Sequence, residues 1–256
     1  MTEPFPTPIP AATLVLYRDR EDAPAEHLFV ERAATMVFAA GAVVFPGGRV
    51  DPDDREIAAQ FPELDSVDAA ARVAAIRETV EEAGVAVGFS PPLNETEAEG
   101  LRKALSDGNL LSKWLIENNR TLELDALTPF ARWCPNHRKT RNFDTHFYIT
   151  RAPENAHIAS VDATENVHLF WASADEVLAR AASSALSIIF PTKRNLERLA
   201  SVPAYDQAVA HARAHPVRLI SPTIIERDGV KFLTIPADMG YPIYEENIAN
   251  VRRGGD

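Results

Sequence analysis

Apolar residues recur at helical spacing between residues 68 and 83: Ala69, Val73, Ile76, Val80 and Ala83 are four, three, four and three positions apart. That period puts them on one stripe of an α-helix. Asp68 is a candidate N-cap, and Gly84 stands where a helix-ending glycine is expected. A β-type pattern marks "ATLVLY" (12–17) and "HLFVER" (27–32), with a polar loop expected around Asp19 to Glu26. The run "GAVVFPGGRVDPDD" (41–54) predicts a short apolar segment ending in a turn at Gly47 and Gly48, and residues 55–65 a loop or short helix. Residues 94–119 look helical, broken by "SDGN". Strands are expected at 127–134, 143–151 and 166–173, the first two joined by the basic loop "PNHRKTRN". Helices follow at 173–182, with Ser173 near the N-cap, at 191–200 and at 204–214. Asp228-Gly229 between two β-rich runs signals a hairpin. Prolines 4, 6, 8 and 10 make residues 1–10 an extended arm.

Strands and helices mix without regular alternation, which favours α/β architecture with helices packed on a mixed sheet. At 256 residues and 46% apolar content, the chain suits one large domain or a domain with an inserted piece. The net charge of −11 argues against non-specific binding to nucleic acid or an anionic membrane. With Cys134 as its one cysteine the chain forms no internal disulfide. The first residues lack the pattern of a signal peptide, no apolar run approaches a membrane span, and the expected location is cytoplasmic.

The wheel that defines the apolar stripe puts Glu78, Glu81 and Glu82 roughly opposite it. Residues three and four apart are surface neighbours, so the three carboxylates gather on one patch. They also lie in the last turns of the helix, where the dipole disfavours negative charge. A solvated acidic face is the plain reading. A divalent cation reverses the energetics by turning repelling groups into ligands, and hard oxygen donors point to Mg²⁺ or Mn²⁺. Ala71, Ala74 and Ala75, one turn earlier, are small enough to leave room for a substrate.

"GGRVDPDD" (47–54) followed by "RETVEEAGV" (77–85) resembles the Nudix box of the Nudix hydrolases. That pattern runs Gly, five residues, Glu, seven residues, then Arg-Glu-U-x-Glu-Glu-x-Gly-U, with U aliphatic. Gly48, Arg77, Glu78, Glu81, Glu82, Gly84 and Val85 match. Asp54 replaces the first glutamate, Thr79 the first aliphatic residue, and 22 residues separate Asp54 from Arg77. The split box, together with "LTPFARW", "RNFDTHFY", "ENVHLFWASADEVL" and "IIFPTKRNLERLA", is similar to the peroxisomal coenzyme A diphosphatase branch. Leu28, Arg32, Ala33, Gly41 and "FPGG" (45–48) follow a coenzyme A signature, with Val37 in place of its second arginine.

The resemblance implies a Nudix α/β/α sandwich over residues 11–200, its box split over 48–85. A helical insertion spans about 88–125, and a C-terminal helix and hairpin extension spans 201–256. It implies a diphosphatase acting on a nucleoside diphosphate linked to another group, coenzyme A or an acyl-coenzyme A among them. ADP-ribose, NADH or dinucleoside polyphosphates are alternative substrates, and a non-catalytic nucleotide sensor is an alternative class. The implied metal set is Glu78, Glu81, Glu82 and the Gly47 carbonyl, with Arg77 orienting a carboxylate. Glu82 and Glu165 are both candidates for the base. Arg32, Gly48 and Arg141 are candidate substrate contacts. Arg138 and Lys139 read as solvated loop residues, Trp133 and Trp171 as core, and His146 as structural. The expected partner is a small molecule, and a homodimer is a candidate assembly.

Overall fold

The computed structural model describes residues 7–33, 41–135, 142–154, 156 and 166–251. In chain order the elements are β1 (Ile9–Arg20), β2 (Ala23–Arg32), β3 (Val43–Val44), β4 (Gly47–Arg49), α1 (Pro52–Ala58), α2 (Ser66–Ala83), β5 (Phe89–Ser90), α3 (Glu95–Ser106), α4 (Leu111–Glu117) and β6 (Thr121–Leu122). They continue with β7 (Thr128–Trp133), β8 (Phe143–Arg151), β9 (Asn166–Ser173), α5 (Ala174–Ala182), α6 (Phe190–Ala200), α7 (Tyr205–Ala214), β10 (Leu219–Ile220), β11 (Thr223–Arg227), β12 (Val230–Thr234) and β13 (Glu245–Asn247).

β1 organises the main sheet, whose order is β10-β7-β8-β1-β2-β3, with β4 also paired to β1 and β9 to β2. β1 runs parallel to β8 from Ile9 opposite Phe143 to Tyr17 opposite Arg151. β10 is parallel to β7, and the other pairings are antiparallel. Alternation along β1 sends Leu14 and Leu16 into one core with α2 and α3, and Val15 and Tyr17 into another with α5, α6 and α7. The result is the expected α/β/α sandwich. β10 extends the sheet edge, and Leu233, Ile235, Met239 and Tyr241 join the second core. β5 and β6 pair with each other and bracket α3 and α4.

Several expectations are corrected. The loop at Asp19–Glu26 is a tight hairpin, with Asp22 at φ 55° between β1 and β2. Its strand ends look loop-like in sequence because they are charged, but Arg18 and Arg20 both bond Glu26 across the pair at 3.0 and 3.1 Å. Pro10 belongs to β1 rather than to an extended arm. Gly47 and Gly48 form a strand, not a turn, pairing with Thr13 and Ala12. The cap of α2 is Asp65, which accepts from the amides of Val67 and Asp68, both at 3.0 Å. Asp68 instead accepts from Arg72 Nε and Tyr148 Oη, both at 2.7 Å. Ala71, Ala74 and Ala75 leave no open space. They are buried, because α2 packs on the sheet, α1 and α3 together.

Other patterns hold. Ala69, Val73, Ile76, Val80 and Ala83 are buried. Ser173 caps α5 in a reciprocal box with Glu176. Asp228 (φ 51°) and Gly229 (φ 76°) turn β11 into β12, and β13 completes a three-stranded sheet. Trp133 lies in the second core and donates to Tyr241 Oη at 3.0 Å. Trp171 packs against the first core beneath the guanidinium of Arg18.

Candidate active site

The site forms where the C-terminal end of α2 meets β4 and the start of α1. A proline at the first position of α1 supplies the helical φ without wasting an amide. Asp54, at the third position, bonds back to the Asp51 amide at 2.8 Å. Its carboxylate has no solvent exposure. Arg77 of α2 clasps it from the other side, Nε to Oδ1 at 3.0 Å and Nη2 to Oδ2 at 2.9 Å. Such a two-pronged pair fixes direction as well as distance. Arg77 Nη2 also reaches the Arg49 carbonyl of β4 at 2.8 Å. Its remaining nitrogen, Nη1, donates to Glu78 at 3.0 Å and Glu81 at 2.9 Å. One guanidinium thus joins α1, β4 and two carboxylates.

Glycine allows close approach beside this junction, to backbone at Gly47 and to the Glu78 carboxylate at Gly48. A Cβ on Gly48 would lie 2.2 Å from Glu78 Oε1, and one on Gly47 would lie 2.3 Å from the Ala12 carbonyl. The Gly47 amide donates to Glu82 Oε2 at 2.9 Å. Glu82 Oε1 faces Arg32 Nη1 at 3.9 Å. Thr79 turns inward and donates to the Ala75 carbonyl at 2.7 Å, so the helix buries this hydroxyl without an unmet bond.

The electrostatics concentrate on Glu78. Burial pushes its carboxyl up to about 8, against the pull of Arg77 and with Glu81 and Glu82 adding to the rise. Burial also raises Glu81 and Asp54, in both cases opposed by Arg77.

These residues suit a hard divalent cation in two respects. The donors are carboxylate oxygens. Glu78 also lies beside Glu81 and Glu82, whose charges help hold its proton on, and a cation would relieve that repulsion. The three glutamates are divided between partners, however: Arg77 takes Glu78 and Glu81, and Gly47 takes Glu82. Among the described residues, no three acidic, histidine or cysteine side chains converge as a ready metal-binding group.

The structure therefore brings together Arg32, Gly47, Gly48, Arg77, Glu78, Glu81 and Glu82. Arg141, Glu165 and the loop residues Arg138 and Lys139 lie outside the described residues. His146 Nδ1 lies 3.4 Å from Tyr148 Oη on β8. Arg102 of α3, which no sequence motif singles out, donates to the carbonyls of Glu81 and Glu82 at 3.1 and 3.4 Å. No local pattern marks that contact, because the two helices are separate in sequence. No helix among the described residues is long and apolar enough to cross a membrane.

Neither a family model nor a curated protein matches the chain. Solved structures do. A NUDIX hydrolase from Alicyclobacillus acidocaldarius is 31% identical over 80% of this chain and 96% of that one, with a TM-score of 0.68. The NUDIX domain of Shewanella oneidensis NrtR, complexed with ADP ribose, is 15% identical over 77% of this chain and 88% of that one, at TM-score 0.43. An Ap4A hydrolase from C. elegans is 16% identical over 75% and 95% of the two chains, at TM-score 0.38. By the first of these relationships, spanning nearly the whole of the matched protein, this chain belongs to the Nudix hydrolase family.

Proposed function

We propose that the chain hydrolyses the diphosphate bond of a nucleoside diphosphate derivative with the help of Mg²⁺ or Mn²⁺. The observation that carries this reading is the Arg77 junction, which holds Glu78 and Glu81 at the end of α2 while anchored on buried Asp54. Asp54 and Arg77 meet across the 22 intervening residues, which supports reading the box as split by an insertion.

Glu78, Glu81 and Glu82, with the Gly47 carbonyl, are the groups that would hold the ion. A bound divalent ion supplies neutralisation of the phosphate charge and a lower pKa for water. The chain's own residues do the rest. Arg77 keeps two carboxylates in register. Gly48 leaves space over Glu78. Arg32, beside Glu82, offers a guanidinium to a phosphate oxygen, and Arg141 is a second such group. Glu82 and Glu165 remain the two candidates for accepting the proton of the attacking water.

Within this class we favour coenzyme A or an acyl-coenzyme A. Support comes from the signature of Leu28, Arg32, Ala33, Gly41 and residues 45–48, and from the position of Arg32 at the glutamate cluster. We treat 88–125 as an insertion in the domain of 11–200 and 201–256 as its extension. Retention of all three box glutamates weighs against a sensor that binds without cleaving.

The test measures product release with Mg²⁺ from coenzyme A, ADP-ribose, NADH and dinucleoside polyphosphates. Glu78→Gln and Glu82→Gln should each lower turnover by several orders of magnitude while the protein stays folded. Near-normal turnover in both variants overturns the reading, and no release from any substrate favours the sensor.

A further inference from the structure

Helix α2 ends against its own dipole. Its final turns hold Glu78, Glu81 and Glu82, and its last turn has no basic residue. The negative end of a helix favours cations, and its last carbonyls lack donors within the helix. The Gly84 amide takes the Val80 carbonyl at 2.8 Å. Arg102 of α3 takes the next two, Nε to Glu81 at 3.1 Å and Nη2 to Glu82 at 3.4 Å. Gly84 makes the approach feasible. Its φ of 68° turns the chain off the helix axis, and a Cβ there would lie only 3.3 Å from Arg102 Nη1.

Arg102 is held from behind. Ala98, Leu101 and Leu105 of α3 are buried in the core they share with α2. Asn94 and Glu97 form a reciprocal cap at the start of α3. The guanidinium thus projects from a fixed helix onto the last turn of α2, which carries Glu81 and Glu82.

We propose that Arg102 is a positioning residue for the glutamate cluster, supplying from the insertion the terminal cation that α2 lacks. It satisfies the backbone of Glu81 and Glu82 and offsets the field that opposes three acids at a helix C-terminus. Their side chains then leave a turn whose carbonyls are held from α3. This inference rests on the metal reading above and deepens it, because it gives the insertion a role in cation binding.

The test is calorimetric titration of the full chain with Mn²⁺ alone, for wild type, Arg102→Ala, Arg102→Lys and Arg120→Ala. Arg120 pairs with Glu97 inside the insertion, so its loss loosens the same segment without touching α2. Removing an outer support typically weakens metal binding about 10-fold or more, which is the loss expected for Arg102→Ala. Arg102→Lys, keeping the charge and a donor, should recover part of the affinity, and Arg120→Ala should bind as wild type. In activity assays Arg102→Ala should raise the Mn²⁺ concentration giving half-maximal rate and leave kcat at saturating Mn²⁺ near normal. If Arg102→Ala does not fold, the lysine variant carries the test with an intermediate affinity. Unchanged Mn²⁺ affinity in both Arg102 variants, or equal losses in all three variants, overturns the proposal. Failure of the wild-type chain to take up Mn²⁺ overturns the metal reading itself, and this inference with it.

Discussion

Replacing Asp54 by alanine tests the junction on which the site is built. The carboxylate is fully buried, and the substitution removes both of its bonds to Arg77 along with its bond to the Asp51 amide. Breaking a buried ion pair by deleting one partner typically costs about 3–5 kcal/mol, since the remaining charge stays desolvated. Two features place this case at the lower end. Arg77 keeps Glu78, Glu81 and the Arg49 carbonyl, and Asp54 itself resists ionisation through burial. A loss of about 3 kcal/mol is therefore expected, which for a chain of this size is a fall in Tm of roughly 6–12 °C. Asp54→Asn retains acceptor capacity and the Asp51 contact, so its loss should be smaller, about 1–2 kcal/mol. Urea unfolding at neutral pH measures both. A loss below about 1 kcal/mol for Asp54→Ala, the range of an exposed ion pair, would refute the claim that the two-pronged contact anchors Arg77.

Glu78 gives a pH prediction with a definite sign. Burial holds its folded pKa at about 8, above the ordinary 4.5, so the folded state keeps a proton that the unfolded state has released. The cation-free protein should lose stability as pH rises between those values and level off above them, and Glu78→Gln should flatten that slope. Urea midpoints in EDTA across the window check this, and identical slopes for wild type and variant would count against it. Gly48→Ala should displace the Glu78 carboxylate, since the new methyl would stand 2.2 Å from Oε1. Mn²⁺ uptake should then fall about 10-fold or more, and wild-type affinity in calorimetry would contradict the tight-approach argument.

Local chemistry was the most legible part of the chain. The period of α2, the Ser173 cap and the Asp228-Gly229 hairpin each depend on neighbouring residues, and each appears in the structure. The sequence is silent where distant elements decide. Charged ends hid the β1–β2 hairpin, because only the cross-strand contact of Arg18 and Arg20 with Glu26 makes them strand-like. The alanines of α2 look available to a ligand because nothing in their spacing shows that α2 is packed among the sheet, α1 and α3. Gly47 and Gly48 suggested a turn, whereas their small size serves close packing against β1 and Glu78. At the site, the motif drew attention to Arg77 and the glutamates. Asp54 could be named as a substitute, but its clasp on Arg77 and the approach of Arg102 are products of the fold.

The parallel pairing of β1 with β8 has a kinetic consequence. Ile9 waits for Phe143 to be synthesised before the central ladder can close. Long-range pairings of this kind slow folding, and exposed apolar strands are prone to aggregate in the interval. Leu14, Val15 and Leu16, fully covered in the finished protein, spend that interval without their β8 partners. Because β4 also pairs with β1, the glycine strand beside the glutamates depends on a neighbour whose other edge is completed only once β8 has left the ribosome.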